Sequence, residues 1–265
     1  MKFKKLSIVF LIITIMTILA GCTQDSSSSS VVDQIKSKGK LVMGTSADYP
    51  PFEFHAQIDG RDEIVGIDIS IAQEIAKDLG VELEIMDMDF DGLLAALASN
   101  TVDIIIAAMN ATDERKDSVI FSNEYYIAEQ RILVRTQDME KFKSIDDLKS
   151  AKIGVQKGTL QAEIAEKILP DNQTRALGKV TDLILDLKAN NVDAIILEKP
   201  VAEAYAANTD GIDVSEMEIK SDDTSGYAVA IKKGNTELEK EVNKTIERIK
   251  NDNSFDELFK NILDQ

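Results

Sequence analysis

The sequence predicts an α/β protein of two similar lobes, joined by two crossover strands around a ligand cleft. Three observations carry that expectation. Short apolar runs rich in β-branched residues alternate with helix-like stretches along the chain. The segment Leu97-Ala98-Ser99-Asn100-Thr101-Val102-Asp103-Ile104 is echoed by Leu187-Lys188-Ala189-Asn190-Asn191-Val192-Asp193-Ala194. Two further strand-like runs, residues 130–135 and 226–232, stand where the chain would leave one half and return to it.

The N-terminus sets the compartment. Lys2, Lys4 and Lys5 precede an apolar stretch over residues 6–20, in which only Ser and Thr are weakly polar. That stretch falls short of the roughly 20 residues a bilayer span needs. A basic head, a short apolar core and a small-residue end describe a secretory signal, residues 1–21. Cys22 is the only cysteine in the chain, so no intramolecular disulfide can form. Residues 23–30 are Ser-rich without an apolar member, and residues 22–34 are read as a flexible linker. Loss of residues 1–21 removes the three lysines and moves the formal charge from −17 to −20. Such an acidic chain, with no basic patch, argues against nucleic acid as a partner.

The folded elements follow in order. Residues 40–44 are a strand. Asp68 is expected to cap a helix whose Ile67, Ile71, Ile75 and Leu79 recur on one face, and Gly80 to end it. Residues 82–88 read as a strand, 91–100 as a short helix and 102–107 as a buried strand. The second half repeats the plan. A strand over residues 151–155 leads into a helix running to Leu169. Leu183-Ile184 then takes the place of Leu93-Leu94, and a strand ends at Glu198. Residues 236–251 and 255–263 read as C-terminal helices that pack back on the first lobe. Lobe 1 is thus assigned to residues 35–133 and 226–265, and lobe 2 to residues 134–225.

Four loops after strands should meet in the cleft, a preferred ligand position in such architectures. The first, residues 45–53, contains Ser46, is stiffened by Pro50 and Pro51, and offers the rings of Tyr49 and Phe52. The second carries Ala108, Asn110 and Arg115. Its small residues admit a ligand or a backbone closely, and the Arg115 fork suits a carboxylate. The third carries Gln156, Thr159 and Leu160 at a helix start whose free amides suit an anion. The fourth ends in Glu198, an acceptor for an ammonium group. Phe90 is a further wall. Each has a plainer reading: a solvated helix end for Arg115, an N-cap for Thr159, pairing with Lys199 for Glu198, and core packing for the aromatics. Together the loops complement an amino-acid zwitterion.

Six motifs in order strengthen this: Gly44-Thr45 with Tyr49-Pro50-Pro51-Phe52-Glu53, Gly66-Ile67-Asp68-Ile69, Phe90-Asp91-Gly92-Leu93, Thr112-Asp113-Glu114-Arg115-Lys116, Gly154-Val155-Gln156 with Gly158-Thr159, and Glu198 with Pro200-Val201-Ala202. On these motifs the chain after Ser30 resembles the extracytoplasmic solute-binding proteins of ABC transporters for polar amino acids. The resemblance implies a two-lobed periplasmic-binding-protein-like fold. It implies that Arg115 pairs with the ligand α-carboxylate and that Asn110 contacts the ligand backbone. The Ala108 carbonyl and Glu198 take the α-ammonium, while Thr159 and the Leu160 amide hold the carboxylate from the second lobe. Tyr49, Phe52 and Phe90 pack on the ligand side chain. Two departures stand out, Glu198 for the family's frequent Asp and Asn110 for its frequent Ser or Thr. The ending Leu19-Ala20-Gly21-Cys22 resembles a lipobox, which implies a lipid on Cys22 and attachment to the membrane surface.

Specificity stays open at this stage. Asp48 and Glu53 suit a basic side chain such as arginine or lysine; Ser46 and Gln156 suit an amide such as glutamine or asparagine. The expected function is that of the substrate-binding component of an ABC importer, acting as a monomer without cofactor or metal and delivering its ligand to a permease. Two alternatives are an enzyme of the same fold, such as a cyclohexadienyl-type dehydratase with Glu198 as acid, and a membrane-tethered amino-acid sensor. Catalysis has little support in the residues, since His55 is the only histidine and no metal-spaced cluster occurs.

Overall fold

The computed structural model describes residues 30–169, 174–221 and 223–251. The signal segment, Cys22, linker residues 23–29 and the helix expected over 255–263 lie outside the described residues.

Helix α1 (Val31–Lys38) is capped by the Ser30 side chain and ended by Gly39 in the left-handed region. It begins four residues before the expected start of lobe 1. The chain continues through β1 (Lys40–Thr45), β2 (Asp48–Tyr49), β3 (Glu53–Ile58) and β4 (Arg61–Val65) to α2 (Ile67–Leu79). Then come β5 (Glu82–Asp87), a 3-10 turn at Phe90–Gly92, α3 (Leu93–Ala98), β6 (Ile104–Ile105), α4 (Asp113–Lys116) and β7 (Val119–Phe121). After β8 (Gln130–Arg135), the second half runs α5 (Ile145–Leu148), β9 (Ile153–Gln156), α6 (Leu160–Ile168), β10 (Thr174–Leu177) and α7 (Val180–Lys188). It continues through β11 (Ala194–Glu198), α8 (Lys199–Asn208) and β12 (Ile212–Ile219) to β13 (Ala230–Lys232) and α9 (Thr236–Asn251).

Two five-stranded sheets result, in the orders β5-β1-β6-β13-β7 and β10-β9-β11-β8-β12, with β2-β3-β4 as a separate small sheet. The sequence echo is structural. Asp103 accepts from the Val42 N–H at 2.8 Å, and Asp193 accepts from the Lys152 N–H at 2.9 Å. Gly44 abuts Leu93 and Val102; its counterpart Gly154 abuts Leu183 and Val192. These are the residues that the echo pairs. Asn100 and Asn190 both sit in the left-handed region, at φ 59° and 61°. Each lobe therefore repeats one helix–turn–strand unit against its own first strand, β1 or β9.

The halves exchange strands. β13, from the end of the chain, lies between β6 and β7 of the first sheet. β8, which follows the first half, pairs antiparallel with both β11 and β12. The expected lobe boundary at 133/134 thus falls inside β8, and the crossing occurs before Gln130. The two crossing segments touch: Tyr126 and Tyr227 form an antiparallel bridge, with the Tyr227 N–H donating to the Tyr126 carbonyl at 2.7 Å. α9 returns to the first lobe, where Thr245 donates to Asp78 at 2.8 Å and Arg248 to Glu74 at 2.7 Å.

Two local expectations are corrected. The regular part of the strand expected over 102–107 is only β6, though the Asp103 and Ile106 amides still bond to Val42 and Gly44 of β1. Asp68 is not the cap of α2; Gly66 is. Gly66 has φ 135°, and a Cβ there would lie 2.1 Å from the Phe52 carbonyl oxygen. Only glycine fits, and the close approach sets the position of Phe52 and Glu53.

Candidate functional site

A small polar cavity lies where the lobes face each other. The first lobe contributes Ser46, Tyr49, Glu53, Phe90, Ala107, Ala108 and Asn110, and the second Gln156, Thr159, Gln161 and Glu198. All four loops singled out in the sequence arrive there.

The lobes are in contact around it. Tyr49 Oη donates to Glu198 across the cleft. Glu198 ends β11 inside the second sheet and is fully enclosed, so burial pushes its carboxyl up while the Tyr49 and Gln130 hydrogen bonds pull it down. Gln161 Nε2 donates to Gln130 Oε1 at 3.0 Å, which fixes the floor around Glu198. Thr159 is the N-cap of α6: its hydroxyl donates to the Gln156 carbonyl at 2.7 Å and accepts from the Ala162 N–H at 3.3 Å. The structure thus gives Thr159 its plainer role while keeping it on the cavity wall.

Arg115 lies just behind that wall. α4 begins at the Thr112 cap, and this short helix turns the guanidinium inward. Nη1 donates to the Asn110 carbonyl and Nη2 to the Gly158 carbonyl of the other lobe, each at 2.8 Å. The guanidinium also sits 5.4 Å over the centre of the Phe90 ring. Burial lowers its pKa, and the Glu163 and Glu198 charges oppose that shift. Asn110 Nδ2 donates to the Ser225 carbonyl at 3.0 Å, and so holds the crossing segment to the cleft wall.

Ala108 has φ 44°, a left-handed conformation unusual for a residue with a Cβ. Its N–H donates to Asp68 Oδ2 at 2.7 Å, and Tyr125 Oη donates to the same oxygen at 2.8 Å. Asp68 therefore points inward, beneath the cavity, toward Glu53. Glu53 Oε2 and Asp68 Oδ1 are both buried without a donor among the described residues. Two carboxyl groups face each other there. Burial pushes Glu53 well above the usual carboxylate range, reinforced by the Asp68 charge, and burial takes Asp68 up to about 6. Tyr227 Oη is likewise buried without a partner, close to Glu53 and Glu198.

Three expected site residues, Arg115, Phe52 and Leu160, do not line the cavity. Phe52 is fully buried and packs its ring on Tyr126 and Tyr227 at 5.3 and 5.0 Å, so it braces the crossing segments instead. Leu160 packs into the core of the second lobe. Gln161 and Ala107 are lining residues outside the expected set; Gln161, two residues after Thr159, is placed inward by the first turn of α6. His55 stays exposed and pairs with Asp62 at 2.8 Å. Among the described residues, no group of three or more His, Cys, Asp and Glu is placed to hold a metal ion, and no helix is long and apolar enough to cross a membrane.

Two similar α/β lobes, linked by paired crossing segments and closed on a polar cavity, define a two-lobed solute-binding protein. The chain belongs to the bacterial extracellular solute-binding proteins, family 3, whose model matches residues 41–265. It is 34% identical over 244 residues to an arginine-binding extracellular protein, ArtP, of Bacillus subtilis, covering 91% of each chain. An amino acid ABC transporter substrate-binding protein of Streptococcus pneumoniae bound to L-arginine superimposes with a TM-score of 0.86 at 39% identity, over 88% of this chain and 97% of that one. An ancestral amino-acid-binding protein, AncCDT-1, described as a precursor of cyclohexadienyl dehydratase, gives 0.80 at 33% identity over 88% and 99%.

Proposed function

We propose that the protein binds a free amino acid with a cationic side chain, arginine before lysine, in the interlobe cavity and delivers it to the permease of an ABC importer. The observation that carries the specificity is the acidic base of the cavity. Among the described residues, Glu53 lines it with no donor on Oε2, Asp68 stands behind, and no cation is bonded to either. A guanidinium or ammonium reaching Glu53 supplies the missing donors. An amide side chain supplies N–H groups too but leaves the negative charge uncompensated, which places glutamine and asparagine second. The similarity to arginine-binding relatives supports the same choice.

The zwitterionic head is assigned to the upper wall. The Arg115, Asn110 and Thr159 region receives the α-carboxylate, and Glu198 with the Ala108 carbonyl receives the α-ammonium. Ser46, Tyr49, Phe90 and Gln156 surround the side chain. Groups from both lobes share the ligand, so binding favours the closed arrangement. We read the chain as a binding protein and not an enzyme, acting as a monomer held to the membrane surface through a lipid on Cys22. The test is incubation with L-arginine followed by mass spectrometry and calorimetry. Tight binding of unchanged L-arginine supports the reading. A chemically altered product, or preference for glutamine over arginine, overturns it.

A further inference from the structure

Asp48 reads in the sequence as a pocket carboxylate for a basic ligand. It does not line the cavity. It belongs to β2 of the first lobe, and its partners lie mostly on the second. The Val180 N–H, the first amide of α7, donates to Asp48 Oδ2, while the α7 cap residue Lys179 makes no side-chain cap bond of its own. Gln156 Nε2 donates to the same carboxylate at 3.3 Å and to the Gly178 carbonyl at 3.0 Å. Tyr205 Oη donates to the Asp48 backbone carbonyl at 2.7 Å. Lys179 Nζ reaches over to Asp87 at 2.9 Å and the Met88 carbonyl at 3.2 Å, beside Asp48. On its own lobe, Asp48 accepts from Ser46 Oγ at 3.0 Å.

We propose that Asp48 is an interlobe lock: its carboxylate caps the N-terminus of a second-lobe helix only when the lobes meet, and it orients Gln156 toward the ligand. The N-terminus of a helix carries unpaired N–H groups and a partial positive charge. Here the capping group is supplied by the other lobe instead of by the preceding residue. Opening the cleft breaks the cap and returns both partners to water. Closure thus desolvates a carboxylate and repays that cost with the Val180 amide, the Gln156 amide and the Lys179 charge. The Gln156 amide has both N–H groups engaged, so the acceptor it offers the cavity is its oxygen. A ligand with N–H donors on its side chain is matched to that oxygen. Asp48 is in this sense a positioning residue, acting on the ligand through Gln156 and through lobe closure. The inference rests on the cleft being an amino-acid site.

The experiment pairs Asp48→Asn with Val180→Pro. Proline suits the first helical position, and Lys179 already has the extended backbone required before it, at φ −119° and ψ 141°. Val180→Pro therefore deletes the donor without touching the cavity wall. L-arginine dissociation is followed by stopped-flow tyrosine fluorescence, lobe closure by the small-angle X-ray scattering radius of gyration, and folding by thermal melting. The lock predicts dissociation at least about tenfold faster in each single variant, as expected for losing a hydrogen bond to a charged group. It also predicts a larger radius, a little-changed melting midpoint, and a double variant no faster than the faster single one. Unchanged dissociation and radius, or effects that add in full, overturn it. Absence of L-arginine binding to the unmodified chain would instead count against the proposed ligand. The lock is then read from scattering of the ligand-free chains, where equal radii overturn it.

Discussion

Arg115 Nη2 and the Gly158 carbonyl, on opposite lobes, are 2.8 Å apart, while Nη1 bonds to the Asn110 carbonyl at the same distance. The guanidinium is thus a rivet between lobes, beside the wall proposed for the ligand head. Arg115→Ala is expected to weaken L-arginine binding by about 2–5 kcal/mol, because a buried carboxylate loses its charged partner and two carbonyls lose their donor. Isothermal calorimetry reads this, and unchanged affinity would remove Arg115 from the site.

Glu53→Gln separates the two classes of ligand. The substitution keeps the size and leaves a neutral amide at the cavity base, where the carboxyl group could ionise against a bound cation. L-arginine affinity is expected to fall by about 1.5–3 kcal/mol, the range for a hydrogen bond to a charged group. L-glutamine affinity should change less or rise. Equal losses for both amino acids would remove Glu53 from recognition of the side chain.

Asp68 gives a signed pH effect. Its folded pKa, about 6, lies above the ordinary 3.8. The folded state therefore holds the proton more tightly than the unfolded chain. This contribution favours folding at low pH and is lost as pH rises from about 4 through about 6. Asp68→Asn removes it. The stability of the unmodified protein minus that of the variant should be larger at pH 4.5 than at pH 7, by urea unfolding. A difference independent of pH, or one of opposite sign, would show that Asp68 ionises freely.

Cys22→Ser tests the proposed lipid anchor. Two acyl chains at about 0.8 kcal/mol per buried methylene hold a protein firmly to a membrane, and the variant has no thiol to carry them. The protein should move from the membrane fraction to the soluble one after cell fractionation. Retention with the membrane would refute lipid attachment.

The repeated architecture was legible because both halves need the same local chemistry. Asp103 and Asp193 are readable as equivalents since each must satisfy a backbone N–H of the neighbouring first strand. Val102 and Val192 pack on glycines for the same reason. The candidate site was legible at loop level, because its residues follow strand ends. It was less legible residue by residue. Tyr49 and Phe52 are two aromatics in one loop, and only the arrival of Tyr126 and Tyr227 from distant segments decides that Phe52 is core. Asp68 looks like a cap because it begins an amphipathic helix. Gly66 takes that place, leaving the carboxylate free to turn under the cavity toward Glu53. Gln161 was missed because a polar residue in a first helical turn looks like solvent-facing surface. Its inward partner, Gln130, comes from a strand that exchange brings into the second lobe.

That exchange also orders events during biosynthesis. All five strands of the second sheet fall between Gln130 and Ile219, so they are complete before β13 has been made. The first sheet, although most of it is synthesised earlier, has a gap between β6 and β7 until Ala230–Lys232 emerges to fill it. The half that begins the polypeptide is therefore the half whose sheet is completed last in chain order, so a truncation before Ala230 would leave the first lobe without its inserted strand while sparing every strand of the second.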